Sequence, residues 1–232
     1  MLPFISMSAG RKEWTERASL ITYLDSIEAP LGPAVVCLGF FDGVHKGHMA
    51  LLSHGKKAAE QLGLPLLVHT YDIPPASVIK RNSEAFELTT LEEKARLLLA
   101  AGADRVVVSK FDDQLMHTSG KDFFHNVLVK LLNAKHIIIG FDHRFGYRGD
   151  IGPEELSALC ITEGVGIIVV PAVKTTSGEL ISSSAIRDAL RLGHMEMAEE
   201  MLGRPVDKEL LQRMQATAHH VQNSTTDGGH RA

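Results

Sequence analysis

Cysteine is scarce in this chain of 232 residues, which contains only Cys37 and Cys160. Two cysteines so far apart do not form a disulfide framework, and they lack the close spacing of zinc ligands. Cys37 falls in an apolar run and Cys160 in a helical pattern, so we expect both to be reduced thiols. This usage favours a protein of the reducing cytoplasm.

Long apolar runs and an excess of positive charge are missing too. No apolar run approaches the roughly 20 residues that a membrane-spanning helix needs, and Met1–Met7 is too short for a signal peptide. The formal net charge is −4, from 24 basic and 28 acidic residues, whereas nucleic-acid-binding proteins usually carry a basic stripe. We therefore expect no membrane partner and no nucleic-acid partner, and the oligomeric state stays open.

Hydrophobic residues make up 44% of the chain, which is enough for the core of one α/β domain of ordinary size. Apolar runs alternate with helical patterns, which predicts a parallel sheet covered by helices on both faces. The five predicted strands are Ala34–Leu38, Pro65–Thr70, Arg105–Ser109, Lys135–Ile139 and Gly166–Val170. In such a sheet the ligand lies at the carboxyl ends of the strands, near the topological switch point.

The predicted helices lie between and after these strands. A capping box at Thr89 or Thr90 opens one helix, which runs to Ala101. The other predicted helices span Gly47–Gln61, Ser119–Asn133, Pro153–Glu163, Ser182–Leu192, His194–Leu202 and Lys208–Ala216. Beyond Ala218 the chain is polar and without periodicity, so we expect a largely disordered tail.

The glycine-rich stretch Gly39–His48 joins the first predicted strand to the first predicted helix. Backbone N–H groups and a helix N-terminus converge on an anion at such a turn, and glycine lets the backbone approach a phosphate closely. His45 and His48, three residues apart, add imidazoles that donate hydrogen bonds to phosphate oxygens. The alternative is a pair of surface histidines at a helix start. The coincidence of strand, glycines and histidines favours a nucleotide-phosphate site.

Three further stretches combine chemistry with a position at a strand end or helix start. Gly140–Arg148 mixes aromatics with charged residues, which favours a binding loop over an ordinary polar loop. Ile181–Arg187 places hydroxyls and a cation at a helix N-terminus, which suits either phosphate binding or simple capping. His69–Pro75 is either a rigid exit from a strand or a pocket wall, in which Tyr71 offers an aromatic face to a planar ligand.

The order of these motifs resembles the adenylyltransferase module of prokaryotic bifunctional riboflavin kinase/FAD synthetases, within the nucleotidylyltransferase superfamily. The resemblance covers about residues 34–205 and is carried by the ordered set rather than by any one motif. The motifs are Gly39–His48, Leu88–Lys94, Gly140–Gly146, Ser182–Arg187 and Leu202–Pro205. It implies a Rossmann-like nucleotidylyltransferase fold of the HIGH type, with residues 1–33 as a lead-in segment and 206–232 as the tail.

The resemblance implies an FMN adenylyltransferase, which makes FAD and pyrophosphate from ATP and FMN with magnesium. Magnesium then enters with ATP, and no protein ligand for it is predicted. The implied catalytic residues are His45, His48 and Arg187. The implied ATP-binding residues are Gly39, Phe40, Phe41, Asp42, Gly43, Gly47, Asp142, Ser183 and Ser184. The implied flavin-binding residues are Tyr71, Asp72, Arg144 and Phe145.

The sequence departs from the family pattern at several points. Phe40 stands where the family usually has a small polar residue, and Tyr71–Pro75 replaces a pattern closer to Phe-Asp-Pro-His-Pro. Ser184 and Ala185 stand where Thr-Arg is common. Residues 206–232 have no strand pattern, so we expect no riboflavin kinase domain. Two alternatives follow: a related nucleotidylyltransferase with another phosphorylated acceptor, or a non-catalytic nucleotide- or flavin-binding module.

Overall fold

Residues Ala34–Leu38 form a fully buried strand inside a six-stranded parallel sheet. The computed structural model describes residues 20–75 and 86–226, with side chains as far as residue 217. The strands are β1 (Ile21–Tyr23), β2 (Ala34–Leu38), β3 (Leu66–Tyr71), β4 (Arg105–Ser109), β5 (Ala134–Gly140) and β6 (Gly166–Val170). Their order is β1-β4-β3-β2-β5-β6, and all neighbouring pairs are parallel. The predicted α/β class with a parallel sheet is confirmed.

The sheet has one strand more than the five predicted. β1 lies at the edge and pairs with β4, so that Ile21 is opposite Val106 and Tyr23 is opposite Val108. Three residues are too few to show the alternation by which sequence patterns reveal a strand. The predicted lead-in segment therefore contributes an edge strand, while its residues 1–19 lie outside the described part of the chain.

Helices cover both faces of the sheet. They are α1 (Lys46–Leu62), α2 (Leu91–Ala100), α3 (Asp113–His117), α4 (Gly120–Asp122, continued by the π-helical stretch Phe123–Leu131), α5 (Pro153–Glu163), α6 (Ser183–Arg191), α7 (Met195–Leu202) and α8 (Lys208–Thr226). Thr90 caps α2, since its hydroxyl accepts from Glu93 N at 3.2 Å while Glu93 Oε2 accepts from Thr90 N at 2.8 Å. Of the two registers open to the capping box, the structure thus uses the second. Across residues 20–75 and 86–226, no helix is both long enough and apolar enough to span a bilayer.

The end of the chain differs from the prediction. The helix expected to stop at Ala216 continues as α8 to Thr226, so residues 218–226 are helical. Leu210 is buried in a cluster with residues of α6 and α7, and Met214 packs against that cluster. Packing of the first turns offsets the cost of nucleation, after which each added residue forms one more helical hydrogen bond. Residues 227–232 lie outside the described part.

The core lies on both faces of the sheet because β2 is covered on both sides. Val35 and Cys37 face the cluster formed with α1 and α2, whereas Val36 and Leu38 face the cluster formed with α4 and α5. This alternation explains why the strand is a continuous apolar run, as expected for a parallel strand buried on both faces. A third cluster joins α6, α7 and α8 to Phe86 and Leu88.

The topological switch point lies between β2 and β5. From β2 the chain proceeds through β3 to β4 on one side, and then crosses to β5 and β6 on the other side. Cys37 of β2 is opposite Ile138 of β5. The turn after β2 and the loop after β5 therefore emerge side by side at the carboxyl edge, where ligands bind in open α/β sheets.

Candidate functional site

A cavity of about 300 Å³ opens at the carboxyl ends of β2, β5 and β6. Its walls are the turn Gly39–His48, the start of the loop after β5, and the segment that leads into α6. Predicted residues that line it are Gly39, Phe40, Phe41, His45, Gly47, His48, Asp142, Ser183 and Ser184. Three motifs that are far apart in the chain therefore meet in one cavity.

His45 and His48 form a stacked pair at the start of α1. His45 is the N-cap, and its Nδ1 accepts a hydrogen bond from His48 N at 3.4 Å. The two rings stack with their centroids 3.6 Å apart and an interplanar angle of 18°. A Cβ on Gly47 would lie 3.0 Å from the His45 ring, so glycine leaves room for this ring position.

Both imidazoles are held in the neutral form. Burial, together with the positive fields of Arg204 and Arg187, lowers the pKa of His45 to about 4. Burial lowers the pKa of His48 well below its usual value, and His45, Lys94 and Arg204 lower it further. His48 Nδ1 is buried and makes no hydrogen bond within the described residues. At neutral pH each ring therefore has one N–H to donate and adds no net charge to the cavity.

The backbone of the turn between β2 and α1 adopts left-handed conformations. The φ angles are 57° at Phe41, 81° at Gly43 and 39° at Val44, and such angles strain residues other than glycine. The Phe41 and Val44 side chains are buried in the main core cluster, which holds the turn in this shape. Strain that is offset by packing is typical of a preorganised binding turn.

Asp42 lies behind this turn and not in the cavity. Asp42 is only 3% exposed. Its carboxylate accepts hydrogen bonds from Leu88 N at 2.9 Å and Thr89 N at 3.1 Å. Gly43, predicted with Asp42 to bind ATP, also lies outside the cavity lining, and its N–H donates to the Thr89 hydroxyl at 3.0 Å. These contacts tie the turn to the residues before α2.

Arg187, predicted to be catalytic, is paired with Asp42 and does not line the cavity. Its Nη1 lies 2.7 Å from Asp42 Oδ2, and the two side chains are 18% and 4% exposed. Burial raises the pKa of Asp42, whereas Arg187 and the hydrogen bonds from Thr89 and Leu88 oppose that rise. Ser183 Oγ donates to the Asp42 carbonyl at 2.9 Å. The first turns of α6 therefore hold the turn between β2 and α1 through two contacts.

A second cavity, of about 390 Å³, lies beside β3 and the loop after β5. Three of the four predicted flavin-binding residues, Tyr71, Arg144 and Phe145, line it. Its other aromatic lining residues are Phe111, Phe123, His117 and Tyr147. Their rings contact one another, Tyr71 edge-on to Phe111 with centroids 5.4 Å apart and Phe123 tilted against Phe145 at 5.6 Å, and together they form a largely aromatic wall. A wall of this kind suits a planar ring ligand.

Asp72, the fourth residue predicted to bind flavin, does not line either cavity. Its Oδ1 accepts hydrogen bonds from Ile73 N at 2.8 Å and from Phe111 N at 2.9 Å. The carboxylate therefore holds the exit of β3 against the segment after β4, and it orients Phe111 in the second cavity.

One loop borders both cavities. Residues 140–143 line the first cavity, and residues 144–149 line the second. The two cavities are therefore neighbours that share one loop.

His69 supports the aromatic wall of the second cavity from behind. It is buried at the end of β3 with its Nε2 2.7 Å from Ser109 Oγ. Its ring contacts Tyr71 and Phe123 edge-on, with centroids 5.2 Å and 5.3 Å apart.

Sequence patterns missed Lys94, which is 2% exposed. Its Nζ lies 3.9 Å from the centre of the Phe40 ring and donates to the Tyr71 carbonyl at 2.9 Å. This contact explains why an aromatic side chain stands at position 40. Lys94 is the last residue of the motif Leu88–Lys94, but nothing in the local pattern indicates that a lysine in the first turns of this helix is buried. His143, which lines the first cavity, was also missed within a recognised loop.

Comparison with known proteins shows what this chain is similar to. The model of the FAD synthetase family matches residues 28–185. The chain is 35% identical over 172 residues to a bifunctional riboflavin kinase/FMN adenylyltransferase of Listeria monocytogenes, covering 74% of this chain and 54% of that protein. It is 33% identical over 178 residues to the protein of the same name from Escherichia coli K12, covering 77% and 56%. The chain thus spans about half the length of the curated relatives it matches.

A solved structure described as a macrolide-efflux protein from Streptococcus pneumoniae has a similar fold. The TM-score is 0.71 at 30% identity, and the match covers 81% of this chain and 61% of that one. The match covers most of this chain, so a fold of this kind has been observed before.

Proposed function

This chain belongs to the FAD synthetase family, and from that premise we propose that it is an FMN adenylyltransferase, which transfers AMP from ATP to FMN. The products are FAD and pyrophosphate. The observation that carries this proposal is the loop after β5, whose residues 140–143 line one cavity while residues 144–149 line the next. Two neighbouring cavities, one beside a phosphate-binding turn and one walled by aromatics, suit two substrates that must react with each other.

ATP is assigned to the first cavity. The N-terminus of α1 and the backbone of Gly39–Gly47 offer N–H groups to its phosphates. His45 and His48 add donors without bringing further charge, and Ser183 and Ser184 approach from the N-terminus of α6. Asp142 also lines this cavity and is available to the nucleotide.

FMN is assigned to the second cavity, with Tyr71 and Phe145 against the isoalloxazine ring. Arg144 and Arg148 line the same cavity and offer positive charge to the phosphate of FMN. Asp72 supports FMN binding indirectly, because its carboxylate holds Phe111, which lines the cavity. Residues 34–205 form the catalytic unit in this proposal.

The chemistry requires alignment and charge neutralisation more than proton transfer. A phosphate oxygen of FMN attacks the α-phosphorus of ATP in line, and the bond to pyrophosphate breaks. The FMN phosphate is already ionised at neutral pH, so no general base is needed. The enzyme must bring two anions together and stabilise the charge that develops on the leaving pyrophosphate. The histidine pair and the helix N-termini are suited to this task.

Magnesium fits the first cavity as an ion carried by the triphosphate. Residues 20–75 and 86–226 contain no cluster of three or more potential metal ligands, but Mg²⁺ is commonly held by one or two carboxylates together with substrate phosphates. Asp142 is the carboxylate among the described residues that line the cavity. The ion would supply positive charge to the phosphate oxygens.

A cytoplasmic location also belongs to this proposal, because the buried free thiols of Cys37 and Cys160 suit a reducing compartment.

The direct test is to incubate the protein with ATP, FMN and magnesium and to follow FAD by chromatography and pyrophosphate by a coupled assay. We expect both products in equal amounts. Pyrophosphate release only with another phosphorylated acceptor, such as a pantetheine or nicotinate phosphate, would instead indicate a related nucleotidylyltransferase. Binding of ATP and FMN without pyrophosphate release would indicate a non-catalytic module.

A further inference from the structure

Lys94 is a buried cation that contacts residues from the walls of both cavities. It lies in the first turns of α2, and its side chain reaches the carboxyl ends of β2 and β3. Phe40, beneath its ammonium group, lines the first cavity, and Tyr71, whose carbonyl it binds, lines the second. One cation therefore contacts one wall residue of each cavity.

A hydrogen bond from Thr70 also holds Phe40 close to Tyr71. Thr70, which precedes Tyr71 in β3, donates from its hydroxyl to the Phe40 carbonyl at 2.8 Å. The Phe40 residue is thus held by Thr70 through its backbone and by Lys94 through its ring. Together these contacts fix the end of β3 against the start of the turn between β2 and α1.

The ammonium group is kept in place although burial disfavours its charge. Burial lowers the pKa of Lys94 to about 8, while Asp42, Glu87 and Asp72 oppose that change. Among the described residues none of these carboxylates forms an ion pair with Lys94 within 4.0 Å. Asp42 instead pairs with Arg187. The favourable contacts of this cation are the Tyr71 carbonyl and the Phe40 ring, and both are stronger for a charged donor in a site with little water.

We propose that Lys94 is a positioning residue, which sets the alignment of the two substrates by holding Phe40 of the nucleotide cavity and Tyr71 of the flavin cavity in fixed relation. The inference rests on the proposed function and goes beyond it, because Lys94 does not line either cavity. Alignment of two reactants contributes to turnover more than to the binding of either one. Lys94 is therefore expected to influence the chemical step.

The test is the variant Lys94→Met, which keeps the length and apolar stem of the side chain and removes the ammonium group. We expect kcat to fall by about tenfold or more, while the dissociation constants for ATP and for FMN each change by less than about threefold. Lys94→Arg retains the charge and should recover much of the turnover. Circular dichroism and thermal unfolding establish that each variant is folded.

Lys130→Met is the matched control, because Lys130 lies on α4 with an exposed contact to Asn126 at 3.2 Å. It should leave turnover unchanged. If Lys94→Met does not fold, Phe40→Leu removes the ring from beneath the cation and should lower kcat while both ligands still bind.

The outcomes separate the two proposals. Wild-type protein that makes FAD, together with an equally active Lys94→Met variant, would overturn this inference alone. A loss of ATP and FMN affinity as large as the loss of turnover would also overturn it, because Lys94 would then support the walls without aligning the substrates. A wild-type chain that forms no FAD would overturn the proposed function, and this inference with it.

Discussion

The Arg187 guanidinium lies 2.7 Å from the Asp42 carboxylate and joins the start of α6 to the turn after β2. The two residues are 145 positions apart in the chain, and both side chains are largely withdrawn from water. Neither residue lines the first cavity. Arg187, which the resemblance associates with the triphosphate, is therefore also a residue that shapes the turn.

Replacing Asp42 with asparagine should destabilise the protein strongly. The change leaves the Arg187 charge without its partner and weakens the acceptor for the Leu88 and Thr89 N–H groups, so the free energy of unfolding should fall by about 3 kcal/mol. Urea denaturation measures this difference.

Asp25→Asn is the matched control for that change. Asp25 pairs with Lys110 at 2.6 Å, but both side chains are more than half exposed, so water screens the pair and a much smaller effect is expected. Equal effects of the two substitutions would contradict a special role for burial at Asp42.

Replacing His48 with alanine should reduce turnover. The variant loses an imidazole donor beside the turn that we propose binds phosphate, and kcat should fall by about 10- to 1000-fold through lost transition-state contacts. FAD formation under saturating ATP and FMN is the measurement. His54, exposed on the same helix, provides the control variant His54→Ala, which should keep wild-type turnover. A folded His48→Ala protein with unchanged kcat would remove His48 from the site.

Replacing Tyr71 with alanine should weaken FMN binding more than ATP binding. Tyr71 lines only the aromatic cavity, and loss of its ring should raise the dissociation constant for FMN by about tenfold. The contact with Lys94 uses the Tyr71 carbonyl, so that contact is retained. Flavin fluorescence and calorimetry measure the two affinities, and Tyr23→Ala on the edge strand serves as control. Equal losses for both ligands would count against the assignment of the second cavity.

The stability of the protein should decrease in mild acid. Burial lowers the pKa of His69 to about 3 and that of His143 to about 4, and His45 also has a pKa of about 4. In the unfolded chain these groups have a pKa near 6.5, so unfolding takes up protons between these values. Their contribution is complete above about pH 6.5 and is lost as pH falls towards the folded-state pKa values.

The variant His69→Gln tests this pH dependence. His69 should contribute about 2 kcal/mol to the loss of stability between pH 7.5 and pH 5, and the glutamine variant should lack that part of the loss. Urea denaturation at both pH values measures it, with His54→Gln as control. If the free energy of unfolding of wild type and of His69→Gln depended on pH identically, protonation of His69 would not contribute to the loss of stability.

Local patterns were sufficient to predict most of the helices and strands. Buried strands such as β2 are continuous apolar runs, and the capping box at Thr90 marks the start of α2. The three-residue strand β1 was not predicted, because it is too short to show an alternation of apolar and polar residues. The length of α8 was underestimated because the packing of Leu210 and Met214 against α6 and α7 is not visible in a polar sequence.

The sequence by itself predicted which stretches carry chemistry, because a glycine-rich turn with His45 and His48 favours phosphate binding through short-range geometry alone. Tertiary structure decided which side chains face a cavity and which support it. Asp42, Arg187 and Lys94 are charged residues whose partners are remote in the chain. Asp42 pairs with Arg187, whereas Lys94 contacts a carbonyl and an aromatic ring. These contacts form only when the strands align, because a buried charge is costly without a polar or aromatic partner. For this reason Asp42 holds the turn in place through Arg187 and the residues before α2, and the Phe40 ring lies beneath the Lys94 ammonium group.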